Sequence, residues 1–215
     1  MNLKKFFQKI GILEKDTIDD VNKLIDFIHS QSAYVMQISL YEYIKTRAGT
    51  QYPTLFENEI YLKSMKIARW HIYSGCLSDI LIYLLYLICE NNHENFRTKK
   101  NNIILIFNKI TKSNNQDDVS VEKISKILKN FSSKINDLKI KELMNNNYLF
   151  FQHSSEMFVK WAPVAEEFKR LDKEIMINSI SFRWIGVRRE LNKRVDFSQI
   201  SKDLEKPFIF EKQES

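Results

Sequence analysis

Glycine and proline are scarce in this chain, at 4 and 3 in 215 residues. Sheet proteins need both for their turns, so few turns joining a few long helices are expected. The glycines, Gly11, Gly49, Gly75 and Gly186, are too far apart to build G-x-G-x-x-G, a P-loop or G-x-S-x-G. That excludes nucleotide binding through a glycine loop and the usual hydrolase nucleophile elbow. Cysteine is limited to Cys76 and Cys89, which cannot reach each other along one helix. C-x-x-C and H-E-x-x-H are missing. The single E-x-x-H, Glu90 to His93, lacks the second copy that di-iron bundles use. The expectation is a reducing, cytoplasmic setting with no disulfide scaffold, no metal and no cofactor. The chain reads as an interaction protein rather than an enzyme.

Arginine is the minority base. The chain carries 33 Lys and Arg against 27 Asp and Glu, for a net charge of +6. Only 8 of the 33 are arginine. Ile, Lys and Asn abound, as AT-rich codons dictate, so clustered arginine is more informative here than lysine. Arg183, Arg188, Arg189 and Arg194 fall with Lys193 in SFRWIGVRRELNKR. This stretch is a candidate for anion or phosphate binding, to nucleic acid or to phospholipid headgroups. The plainer reading is favourable charge at a helix C-terminus. Residues 3–13 are basic and amphipathic and suit either docking on a bundle or an anionic membrane surface. Lys9 interrupts their apolar part and no small-residue cleavage site follows, so no signal peptide is expected.

Apolar periodicity places the helices. Thr17 with Asp20 resembles a capping box, and a long helix follows to about Arg47, where Gly49 and Pro53 stop it. Thr54 and Glu57 form a T-x-x-E box, which predicts a second long helix from about Leu55 to Glu90. The short connection makes the pair an antiparallel hairpin. Residues 91–102 read as a polar loop and 103–111 as a short helix. Val121, Ile124, Leu128, Phe131, Ile135 and Leu138 form a heptad seam on a helix over about 119–144. A second seam, Val164, Phe168, Leu171, Ile175, Asn178, Phe182 and Ile185, lies on one helix expected from Pro163 to about Arg194. Asn178, polar on an apolar seam, is the candidate for setting register or oligomeric state. The longest unbroken apolar run, Ile80 to Cys89, is half the length a membrane span needs and reads as a buried core helix.

Asp79 is the sharpest single residue. Ile72, Cys76, Asp79 and Tyr83 share one face, so the carboxylate lies among apolar side chains, where it needs a partner or a proton. A turn centred near Gln51 sets Asp79 opposite Lys23, His71 opposite Gln31 and His29 opposite Tyr73. Asp79, Lys23, His29, Gln31, Arg69, His71 and Tyr73 therefore form a candidate buried polar site. It reads as a ligand or acid/base pocket, or as a structural layer that fixes helix register.

The stretch YIKTRAGTQYPTLFENEIYLKSMKIARWHIYSGCLSD, residues 43–79, resembles an uncharacterised conserved bacterial family of helical proteins. It carries no catalytic motif, and the resemblance implies no function. The expectation is an all-α fold: a long antiparallel hairpin packed with further long helices into a bundle over residues 17–196. An N-terminal basic segment (1–16) and a C-terminal turn and tail (197–215) flank it. A helical interaction or scaffold role leads, with a protein partner or a second copy bound through the seams and an anionic membrane surface as a further contact. The alternatives are nucleic-acid binding through Arg183 to Arg194, and small-ligand binding or catalysis around Asp79.

Overall fold

The computed structural model describes residues 16–90, 93–113, 121–145 and 148–206. The N-terminal basic segment and the tail after residue 206 lie outside the described residues, but for Asp16. Among those described the protein is all-α, with helices packed into a bundle and no strand. One isolated bridge, Ile18 to Val195, ties the start of the bundle to the end of its last long helix.

The hairpin is formed by α1 (Val21–Ala48) and α3 (Glu59–Glu90), joined by a 3-10 turn (Gly49–Gln51) and the single turn α2 (Tyr52–Leu55). Its caps differ from the sequence expectation. Asp20 is itself the N-cap of α1, its carboxylate accepting the N–H groups of Asn22 and Lys23 at 2.8 and 2.9 Å. Asn58 caps α3 by accepting from Ile60 and Tyr61 at 2.9 and 3.1 Å. Pro53 starts its own turn at α2, so the Thr54 hydroxyl bonds back to the Gln51 carbonyl instead of capping the long helix. Gly49 ends α1 at φ +53°, a conformation that costs glycine nothing.

Five further helices are packed on the hairpin: α4 (Phe96–Ser113), α5 (Val121–Asp137), α7 (Gln152–Trp161), α8 (Glu166–Leu171) and α9 (Lys173–Arg194). The one-turn α6 (Ile140–Leu143) and the terminal α10 (Phe197–Leu204) complete the described elements. Helix α4 begins inside the stretch read as a polar loop. Its Lys99 is fully buried and pairs with Glu205 beyond α10 at 3.2 Å, and Asn102 donates to the Leu204 and Lys206 carbonyls. The helix expected from Pro163 to Arg194 is interrupted at Asp172. That buried carboxylate accepts from the Tyr43 hydroxyl at 2.9 Å and pairs with Arg47, which locks the end of α1 to the α8–α9 junction. Backbone bonds from Asp172 N–H to the Phe168 carbonyl and from Met176 N–H to the Asp172 carbonyl carry the helical path through the junction.

Helix α3 runs through the middle. It is the one described helix apolar and long enough to cross a membrane, and 89% of its most apolar window is buried inside the protein. The helix laid closest against it is α7, a segment with no helix expected in it. A Cβ on Gly75 would stand 2.9 Å from Met157 Cγ and 3.2 Å from Ser154 Cα, so only glycine admits α7 at this depth. Gly186, in α9, faces open space. Alanine is worth about 1 kcal/mol more than glycine in a helix interior, and Gly186→Ala should gain that. Gly75→Ala should instead lose stability, because overpacking costs about 1–3 kcal/mol. Urea unfolding of the two variants reads the opposite signs; a stabilised Gly75→Ala would sink the close-approach account.

Candidate functional site

Asp79 sits about two-thirds of the way along α3 and is 4% exposed. Its partner is the N-terminus of α7: Asp79 Oδ2 accepts the Ser154 backbone N–H at 2.7 Å. The free N–H groups and the helix dipole there offset part of the cost of burying the carboxyl. Ser154 also links to a third helix, its hydroxyl accepting from Trp184 Nε1 of α9 at 3.0 Å. Phe151 enters α7 in the left-handed region at φ +64° and stacks on the same Trp184, ring centroids 4.6 Å apart. Asp79, Ser154 and Trp184 thus join α3, α7 and α9 through polar atoms inside an apolar core.

Burial pushes the Asp79 carboxyl above the usual carboxylate range, opposed by the Ser154 hydrogen bonds and then by the charges of Lys134 and His153. Burial also leads in lowering His153, with Lys134 adding to it and Asp79 and Glu156 pulling the other way. Asp79, Lys134, His153, Tyr148 and Glu156 share the wall of a cavity of about 370 Å³ beside the α7 N-terminus. The Cys76 thiol, one turn before Asp79 and fully buried, is pushed far up by the same burial and is chemically quiet.

The other candidate residues divide between two faces of α3. His29 of α1 and Tyr73 of α3 meet as their register requires, Nδ1 to hydroxyl at 2.7 Å. Lys23 does not meet Asp79. It lies on the exposed first turn of α1 and pairs with Asp19 at 2.6 Å. The register is right and the azimuth is not, because α3 is covered on all sides here and Asp79 faces α7 rather than α1. His71 likewise turns from Gln31, which is half-buried on α1, and stacks on Trp161 of α7 at 3.6 Å between ring centroids. Arg69 is half-buried, and its Nε has no hydrogen-bond partner among the described residues.

The arginine stretch is largely engaged by its own chain. Arg183 pairs with Glu42 of α1. The Arg188 guanidinium lies 5.0 Å over the Tyr83 ring. Arg194 donates to the Asp16 carbonyl at 3.3 and 3.2 Å and covers Phe27. Arg189 and Lys193 are exposed. No group of three or more His, Cys, Asp or Glu is placed to hold a metal among the described residues.

The two seams have opposite fates. Ile124, Phe131, Ile135 and Leu138 are buried, and Phe131 stacks on Phe107 of α4 at 3.9 Å. The seam on α8 and α9 faces outward: Phe168, Leu171, Ile175, Phe182 and Ile185 are 43 to 67% exposed, and Asn178 between them is exposed. Helix α9 packs inward through a different set, Met176, Ile180, Trp184, Val187 and Leu191. It is apolar on two sides, and among the described residues the outward one is covered only at Phe168, where the Arg47 guanidinium lies 5.4 Å over the ring.

Comparison with protein-family models, curated proteins and solved structures yields no match.

The raised Asp79 carboxyl sets a sign for pH. A carboxyl that titrates above its ordinary 3.8 is favoured by the fold when protonated. Its contribution to stability is full below that ordinary value and is lost as pH rises through the raised one. The lowered His153 acts in the opposite sense, so the measurement belongs in a His153→Gln background. There Asp79→Asn, which keeps an oxygen for the Ser154 N–H, should at least match its parent at neutral pH, and the parent should gain on it as pH falls. Urea unfolding across the acid range checks this; a parent that instead weakens relative to Asp79→Asn would contradict it.

Proposed function

We propose that the protein is a helical interaction protein that pairs with a second copy of itself through the outward seam of α8 and α9. The observation that carries this reading is the seam itself. Five large apolar side chains at heptad spacing face solvent, whereas exposed apolar residues on a monomer are ordinarily scattered singly. At these exposures, with aromatic and aliphatic side chains of about 200 Å² each, they present on the order of 500 Å² per copy. Flanking residues bring that near the roughly 800 Å² per partner of a standard interface.

Charge favours an antiparallel pairing. With the two-fold axis passing between Met176 and Ile177, Phe168 meets Ile185 of the partner subunit and Leu171 meets Phe182 of the partner subunit. Ile175 then meets Asn178 of the partner subunit, and Glu167 comes beside Arg188 of the partner subunit. A parallel pairing sets Arg188 beside Lys193 of the partner subunit, like charge against like. The small flanking residues Ser179 and Ser181 leave room for close approach. Asn178 falls in the central layers, where a single polar residue fixes register at some cost in stability.

Sedimentation of the full chain is the test. The wild type should dimerise at micromolar concentration, and Leu171→Glu with Phe182→Glu should give a folded monomer, since neither side chain enters the core. Mixing Phe168→Cys and Ile185→Cys chains should yield the mixed disulfide dimer in preference to either self-linked one. A wild type that stays monomeric refutes the reading. Binding to anionic vesicles that the double Glu variant abolishes would reassign the face to a membrane.

A further inference from the structure

A second cavity adjoins the Asp79 site along α7. It opens between α3, α5 and α7 with a volume of about 450 Å³, within the range that holds a small organic ligand. Lys123, Lys126, Lys134, Lys160, His71 and His153 line it; among the described residues no carboxylate does, and Glu156 stands outside it, 3.7 Å from the His153 ring. A solvated helix face ordinarily alternates charge of both signs. From Lys123 to Lys134 the chain reads KISKILKNFSSK, with no acid. Three of its four lysines sit on the edge of α5 that borders the cavity, beside the seam packed on α4. Like charges gathered round a concave, low-dielectric wall focus a positive potential inside it.

His71 registers that potential. Its imidazole is pushed down to about 4, first by burial and then by the charges of Lys123 and Lys160. At neutral pH it is therefore an uncharged hydrogen-bonding group stacked on Trp161. Ser74, Ser78 and Asn130 add further polar atoms to the wall. The rest of the wall is apolar: Phe107, Phe131, Ile127, Met157 and Trp161. The cavity therefore pairs a cationic rim with an aromatic floor.

We propose that this cavity binds a small organic phosphate monoester, its dianionic head among the lysines and its apolar or planar body on the Phe131–Trp161 floor. A phosphate head carries close to two negative charges and several strong acceptor oxygens, and lysine serves such a group as a mobile point charge. The apolar floor distinguishes the ester from inorganic phosphate, which has no body to place there. His153 and Lys134 line this cavity and also the one containing Asp79, so a bound head group would act on the same groups that oppose the raised Asp79 carboxyl.

Titration calorimetry of the full chain at low salt, with 1-naphthyl phosphate as the probe, tests this. The probe should bind about tenfold or more tighter than inorganic phosphate. Lys126→Ala with Lys134→Ala, both exposed and outside the core, should weaken it about tenfold through two lost charge contacts. Lys45→Ala with Lys63→Ala, equal in charge removed but remote from the cavity, should change little. The probe should alter tryptophan emission in the wild type but not in Trp161→Phe, with binding retained. Absence of binding at about 1 mM probe overturns the proposal, as does equal loss in the two lysine pairs, which would signal diffuse charge. Equal affinity for inorganic phosphate also overturns it. So does a short oligonucleotide that outcompetes the probe, which would make the site a nucleic-acid surface.

Discussion

The bundle depends on how closely α7 can lie against α3. Gly75 removes the one Cβ that would hold the helices apart, and the closeness lets the Asp79 carboxylate reach the Ser154 N–H at 2.7 Å. Each contact needs the other. A carboxylate taken this far from water is tolerable only with donors on it, and the donors arrive only because the backbone of α7 is near. Trp184 then closes the arrangement by donating to the Ser154 hydroxyl, so the packing of α9 is also registered on this point. A buried polar contact among apolar helices specifies one arrangement out of the many that hydrophobic burial alone would permit.

The faces available for function follow from that packing. With α9 anchored through Trp184 and the set spaced along Met176, Ile180, Val187 and Leu191, its other apolar side has nowhere to turn but outward. The Asp172 contact with Tyr43 and Arg47 steers α8 along the same line, and the seam continues across the junction. On the opposite side, α7 and the lysine edge of α5 form the two walls of the cationic cavity. The proposed self-pairing surface and the proposed anion site thus lie on different sides of the bundle.

The hairpin was legible because its signals are local. Gly49 and Pro53 stop a helix wherever they stand in this context, and the apolar periods on either side are long. His29 meeting Tyr73 followed from counting away from the turn. The position of Asp79 on an apolar face was legible for the same reason, but its partner was not: counting sets the level of a residue along the helix pair and says little about the azimuth. Lys23 is at the expected level and on the wrong side. Helix α7 was illegible because QHSSEMFVKW has weak helix formers at its start and follows a left-handed Phe151 rather than a capping residue. By itself the sequence places Lys99 in a polar loop, because Glu205, its partner, lies 106 residues further along the chain.

The two heptad seams mark the boundary between what each level of description decides. Sequence alone determined that the chain is helical, that two long helices turn back on each other, that glycine-loop chemistry is excluded, and that each seam needs a partner. Which seam finds that partner inside the chain was decided only in three dimensions. Periodicity records that one side of a helix avoids water and is silent on what covers it. Helix α9 avoids water on two sides, and the α3–α7 contact selects the one that carries Trp184, leaving Phe182 and Ile185 in solvent. The lysine row on α5 is likewise plain in the sequence, but its meeting with His71, His153 and Lys160 around one cavity is a product of packing, because those residues lie on helices far apart along the chain.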